Sequence, residues 1–163
     1  MGKRINVHLD NSSISAAVSE LRRYAAWVER KETELTTRLS QIGLNVAKVK
    51  FYSAAYDGTN DVTVRVEQEG STAWIYAEGT KLLFIEFGSG MTYGYGHPEA
   101  GKHGYGPGTW SDGPNGKGHW DDPHGWWYAG KKTLGNPPAM AMWGAVQEMT
   151  EQVTKIAREV FRT

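Results

Sequence analysis

The sequence predicts an α+β fold, with helices packed on and segregated from an antiparallel sheet. Two observations carry this. Apolar residues recur at helical spacing towards both ends of the chain. Between them lie three short segments of strand character, joined by turns too short for anything but antiparallel pairing. The expected layout is one domain over residues 1–163. It has a helical region at 13–54, a strand meander at 61–87, a glycine- and aromatic-rich loop at 88–125 and a C-terminal helix at 138–161. The sheet is expected to hold three to four strands, packed with a long N-terminal helix or helical hairpin.

The first helix opens on Asp10-Asn11-Ser12-Ser13, short polar side chains that cap helix N-termini. Ile14, Ala17, Val18, Leu21, Ala25 and Val28 then follow at helical spacing. The series resumes with Leu35, Leu39, Ile42, Val46 and Val49, in steps of four and three. The charged run around Glu29–Thr33 is where a bend or break is expected. Such a helix is far longer than the ~11–12 residues usual in globular domains. Either it folds back as a hairpin, or another subunit covers part of it. Gly43 costs about 1 kcal/mol relative to Ala inside a helix, which a close helix contact would account for.

Asp57-Gly58-Thr59-Asn60 is a turn by composition. From Asp61 to Gln68, Val62, Val64 and Val66 alternate with Thr63, Arg65 and Glu67, as in a half-buried strand. Glu69-Gly70-Ser71 turns the chain. Thr72 to Glu78 forms the next strand, with Trp74 and Tyr76 on one face and Ala73, Ile75 and Ala77 on the other. Leu82 to Phe87 is apolar on both faces except at Glu86, so it is expected as a buried, central third strand. Trp126-Trp127-Tyr128-Ala129 is a candidate fourth. After Asn136-Pro137-Pro138, a common helix start, Met142, Val146, Met149, Val153, Ile156 and Val160 set the stripe of the last helix.

Lys plus Arg equals Asp plus Glu at 18 each. No global charge therefore recommends nucleic acid or a membrane surface as partner. Without cysteine there is no thiol catalysis and no thiolate metal site. No apolar run reaches the ~20 residues of a membrane span. The N-terminal residues lack a signal-peptide core, so export by that route is not expected.

Residues 88–125 hold twelve of the twenty glycines and four of the five histidines. Loops this long are usually functional or disordered, and aromatics argue against plain disorder. Several chemistries can be weighed there. His97, His103, His119 and His124, with Asp121 and Asp122, are candidate metal ligands, but their spacing fits no common zinc pattern. No metal or cofactor is expected. Glu78 and Glu86 flank a tight turn, and a carboxylate pair beside exposed tryptophans suits a sugar-binding or glycan-hydrolysing protein. The blander reading has Glu86 accepting backbone or arginine hydrogen bonds and Glu78 as a rim charge. Ser89 lacks a nucleophile elbow. Gly94-Tyr95-Gly96 and Gly104-Tyr105-Gly106 lack the following helix of a phosphate loop. The acidic residues Glu99, Asp112, Asp121 and Asp122 dilute Lys102 and Lys117, so no single-strand groove is expected.

What remains is recognition by shape. Tyr and Trp offer large contact area at low entropic cost. The expected contact residues are Glu86, Tyr93, Tyr95, His97, Tyr105, Trp110, Trp120, Trp126 and Trp127.

Four motifs then carry a resemblance. They are Phe84-Ile85-Glu86-Phe87-Gly88-Ser89-Gly90, Gly104-Tyr105-Gly106-Pro107-Gly108-Thr109, Asp122-Pro123-His124-Gly125-Trp126-Trp127-Tyr128 and Gly135-Asn136-Pro137-Pro138-Ala139-Met140-Ala141-Met142. From about Leu35 to the C-terminus, the chain resembles the gene-product-ten-like minor tail, or head–tail joining, family of tailed phages and prophages. The resemblance implies a structural protein without enzymatic activity, located in the virion tail or neck and assembled in the host cytoplasm. It implies a ring-like homo-oligomer such as a hexamer, meeting tail-terminator or tail-tube proteins and head-completion or neck proteins. No catalytic residue carries over; the segment from Glu86 to Trp127 transfers as a contact surface.

Overall fold

The computed structural model describes residues 8, 10–54, 59–102, 126–128 and 131–162. The order is helix α1 (Asn11–Tyr52), strands β1 (Thr63–Glu69) and β2 (Thr72–Glu78), a short helix α2 (Leu82–Glu86), strands β3 (Trp126–Tyr128) and β4 (Lys131–Thr133), and helix α3 (Ala141–Val160). The α+β class holds.

Helix α1 is one unbroken helix of 42 residues, about 63 Å long at 1.5 Å per residue. The expected bend at Glu29–Thr33 and the helical hairpin are both absent. Thr33 and its neighbours are good enough helix residues, and the Lys31–Glu34 pair bridges one turn there. Asp10 caps the start, accepting from the Ser13 N–H at 2.8 Å. At the other end the Asn60 amide donates to the carbonyls of Phe51 and Ala54. The Phe51 carbonyl also accepts from the Ala54 N–H at 3.1 Å, so Asn60 adds to a helix end that the backbone already closes.

The buried line of α1 is Ser40, Gly43, Ala47 and Phe51. It is offset from the expected stripe, and Val49 is exposed. Small residues occupy the centre because both other layers press on α1 there. A Cβ on Gly43 would stand 2.5 Å from Ile75 Cδ1 of β2 and 2.7 Å from Met149 Sδ of α3. The close contact inferred from Gly43 is therefore present, with a strand as well as a helix. The core proper is Ala47, Phe51, Ile85, Ala141 and Ala145.

Strands β1 and β2 pair antiparallel, Thr63 opposite Glu78 through Glu69 opposite Thr72, as expected. Their side chains alternate as expected too, with Ala73, Ile75 and Ala77 turned inward and Trp74 exposed. Arg65 lies 4.5 Å from the ring centre of its cross-strand neighbour Tyr76 and also bridges to Glu67 and Glu78.

The meander fails at its third strand. Leu82–Glu86 is a helical turn. A run that is apolar on every face satisfies strand and buried helix alike. Just before it, the Asp61 carboxylate accepts from the N–H groups of Thr80 and Lys81 and from the Thr80 hydroxyl, which holds the chain in a turn where the second strand would have run on into the third. The main sheet among the described residues is thus two-stranded. The fourth candidate strand exists as β3, but it pairs with β4 in a separate ribbon. Helix α3 starts at Ala141, three residues later than expected. No helix among the described residues is long and apolar enough to cross a membrane.

Candidate functional site

The segment that follows α2 crosses the segment that precedes α3, and the two backbones lie in contact. The Ser89 N–H donates to the Asn136 carbonyl at 2.8 Å, and the Asn136 N–H returns to Ser89 Oγ at 3.0 Å. The Ala139 and Met140 N–H groups donate to the carbonyls of Ile85 and Glu86. Glycine is required on both sides. At Gly135, with φ of 101°, a Cβ would sit 2.0 Å from the Ser89 carbonyl oxygen. At Gly88, with φ of 77°, it would sit 2.7 Å from the Asn136 oxygen. Both are left-handed positions that a side chain disfavours.

Glu86 sits at the centre of this crossing and is buried. Its carboxylate faces the first turn of α3. The Ala141 N–H donates to Oε2 at 2.8 Å. The Met142 N–H is shared between both oxygens at 3.1 and 3.0 Å, and the Trp143 N–H donates to Oε1 at 3.0 Å. A helix start leaves these groups unpaired, and its dipole favours an anion there. The local sequence supplies no such group. Pro137 and Pro138 have no N–H, and Met140, at φ of 49°, has no side-chain cap. Glu86 therefore caps α3 across 55 residues of chain.

His97 completes the arrangement. Its Nε2 lies 3.2 Å from Glu86 Oε1, and its Nδ1 accepts from the Glu99 N–H at 3.2 Å. The tautomer with the proton on Nε2 satisfies both bonds. The ring is buried, 4.4 Å from Phe87 and 6.1 Å from Trp143 between centroids. Tyr93 tilts against Phe87 at 6.4 Å and donates to the Ala100 carbonyl. Burial pushes its phenol above the ordinary value.

The nine expected contact residues therefore separate. Glu86 and His97 are brought together, but inside the protein, and Tyr93 is half-buried beside them. Tyr95 is 81 % exposed. Trp126 and Trp127 lie in β3, where only their backbone is described. Tyr105, Trp110 and Trp120 lie outside the described residues, as do His103, His119, His124, Asp121 and Asp122. Among the described residues no group of three His, Cys, Asp or Glu could hold a metal ion. Glu78 is exposed and paired with Arg65 at 2.9 Å. The sequence reading missed Ser89 as an acceptor and the Ala141–Trp143 amides as donors. The signal was available: a helix that starts after two prolines with no Ser, Thr, Asp or Asn beside its first turn needs a cap from elsewhere.

A second feature lies on the helices. Ile14, Val18, Leu21 and Tyr24 of α1 are exposed. So are Val146 and Val153 of α3, which the periodicity placed inward. Comparison with protein-family models, curated proteins and solved structures found no match for this chain.

Proposed function

We propose that this chain is a non-enzymatic structural component of a siphophage or prophage virion. It acts at the head–tail junction, in tail completion and head–tail joining. It forms a ring of its own copies, and its neighbours are tail-terminator or tail-tube proteins on one side and head-completion proteins on the other. The family resemblance supplies the virion role.

One observation carries the assembly reading: the apolar stripe of α1 continues through Ile14, Val18 and Leu21, where it is exposed. A helix that leaves this much apolar surface in water gains by covering it with another protein. The groups that first suggested chemistry are otherwise employed. Both oxygens of Glu86 accept hydrogen bonds from the fold, so the geometry gives no support to a sugar-active pair with Glu78.

The test is assembly itself. Sedimentation of the purified chain should show oligomers that grow with concentration, and the chain should be pulled down with neighbouring virion proteins. Intrinsic fluorescence should shift on assembly as Trp110, Trp120, Trp126 and Trp127 change surroundings. A monomer at every concentration that captures no virion protein would overturn the reading. Glycan cleavage by the wild type, lost in Glu86→Gln, would replace it with the sugar-active one.

A further inference from the structure

We propose that His97 is a proton-operated latch: its neutral ring holds residues 98–102 onto the buried crossing, and protonation releases them while α3 stays capped. The latch stands on the geometry of the ring and does not depend on the assembly reading. The side chains of His97 and Glu86 are 3 % and 6 % exposed, and both ring nitrogens are engaged. Nε2 lies 3.2 Å from Glu86 Oε1, and Nδ1 accepts from the Glu99 N–H at 3.2 Å. The two bonds ask different things of the ring. The bond to Glu86 needs a proton on Nε2, and an imidazolium makes it too, with charge assistance. The bond from Glu99 needs a bare nitrogen. An imidazolium carries a proton on both nitrogens. Its Nδ1–H would face the Glu99 N–H, two donors with no acceptor between them.

The effect of the proton is confined to one side. Downstream, the Ala100 N–H donates to the His97 carbonyl at 3.2 Å and the Lys102 N–H to the Glu99 carbonyl at 3.0 Å. This short turn is what the Glu99 bond ties to the buried ring. Upstream, the Gly94 N–H donates to the Phe87 carbonyl at 2.7 Å and the His97 N–H to the Gly94 carbonyl at 2.9 Å, bonds that a ring proton does not touch. The amides of Ala141, Met142 and Trp143 bond to Glu86 alone, so the cap on α3 survives. The charged and titratable groups around the ring come from three elements. Helix α2 gives Glu86. The segment of His97 itself gives Tyr93, whose hydroxyl donates to the Ala100 carbonyl at 3.4 Å, and Glu99, whose carboxylate pairs with Lys102 at 2.5 Å. Helix α3 gives Trp143, which does not titrate. Glu86 therefore favours the ring proton that the Glu99 N–H opposes, and accepting the proton exchanges one bond for a stronger other.

The experiment follows amide exchange in the full chain at about pH 8 and about pH 5, either side of the range in which an imidazole ordinarily titrates. Protection factors remove the intrinsic pH dependence of exchange. On acidification the factor for Glu99 should fall about three- to tenfold, the contribution of one hydrogen bond, while those for Gly94 and Ala141 hold. Nitrogen NMR shifts of the His97 ring should show a bare Nδ1 at the higher pH and protons on both nitrogens at the lower. Two variants separate the two bonds. His97→Asn places a carbonyl oxygen, which does not titrate, near the position of Nδ1, and Asn readily bonds to the backbone two residues on. Glu99 should then stay protected at both pH values. His97→Gln keeps an N–H donor towards Glu86 and gives up the acceptor, so Glu99 should be open at both. Where a variant fails to fold, the ring shifts and the Glu99 protection of the wild type decide. Glu99 protection that does not follow the protonation of the ring overturns the latch, and so does a ring that stays neutral at about pH 5. Loss of protection at Ala141 together with Glu99 would place the proton on Glu86 and overturn it as well.

Discussion

At the scale of single residues, Glu86 concentrates the most energy. Its carboxylate meets three backbone donors and the His97 ring out of water. Hydrogen bonds to a charged group contribute about 1.5–3 kcal/mol each, and buried donors left unpaired cost about 1–3 kcal/mol. Glu86→Gln keeps the shape but puts an amide NH₂ against N–H donors. It should lower stability by about 2–4 kcal/mol in urea unfolding, with α3 fraying first at Ala141. An unchanged urea midpoint would show that the cap is dispensable. Asp61 makes a prediction of opposite exposure. The Thr80 hydroxyl, followed by the Thr80 backbone N–H, holds its carboxyl below the ordinary 3.8. The folded chain therefore binds this proton less tightly than the unfolded chain does. The stabilisation is complete above the unfolded value and is lost as pH falls through the folded one. Melting temperature should consequently fall less steeply with acid in Asp61→Asn than in the wild type, and equal slopes would contradict the cap. The sequence showed that Glu86 was unusual, a charge in the apolar run Leu82–Phe87. It could not show the partners, because three of them are backbone amides carrying no residue signature.

At the scale of elements, glycines separate tolerance from constraint. Gly135 faces a carbonyl oxygen of the crossing backbone, with φ in the left-handed region. Gly135→Ala should cost at least about 2 kcal/mol, visible as a drop in melting temperature of roughly 4–8 °C for a chain of this size. Gly43 faces only the ends of Ile75 and Met149, which can swing aside. There the gain of about 1 kcal/mol in helix propensity offsets the crowding, so Gly43→Ala should be near neutral. Gly43→Leu should lose about 1–3 kcal/mol by overpacking. If Gly43→Ala proves as damaging as Gly135→Ala, the packing account is wrong. Helices α1 and α3 and the hairpin β1–β2 were legible because one face of each is wet, which leaves a period in the sequence. Helix α2 was not. Its apolar run carries both periods, and Asp61, which holds the turn before it, lies 19 positions before Thr80. Val146 and Val153 follow the expected spacing but are exposed, because the α3 positions that enter the core are the alanines Ala141 and Ala145.

At the scale of the whole molecule, α1 divides into two parts with different support. From Leu39 to Phe51 it lies against β2 and α3; before Trp27 its apolar residues face water. Isolated helices under ~12–15 residues are marginal in water. Hydrogen exchange of the isolated chain should find the amides of residues 14–24 opening far more readily than those of 39–51. Uniform protection along α1 would refute this division. The length of α1 was legible from its stripe, whereas its straightness was not, since a charged run fits an exposed turn of helix as well as a break. The crossing at Ser89 and Asn136 has a consequence for how the chain can vary. It closes the intervening residues into a loop whose two ends are held by the fold, independently of what the loop contains. Lengthening a closed loop adds only about 0.6 kcal/mol per doubling. The pairing of Ser89 with Asn136 and the capping of α3 by Glu86 are made by described residues at the two ends alone. What joins the two halves of the chain at this point is thus a pair of backbone crossings that Gly88 and Gly135 make possible.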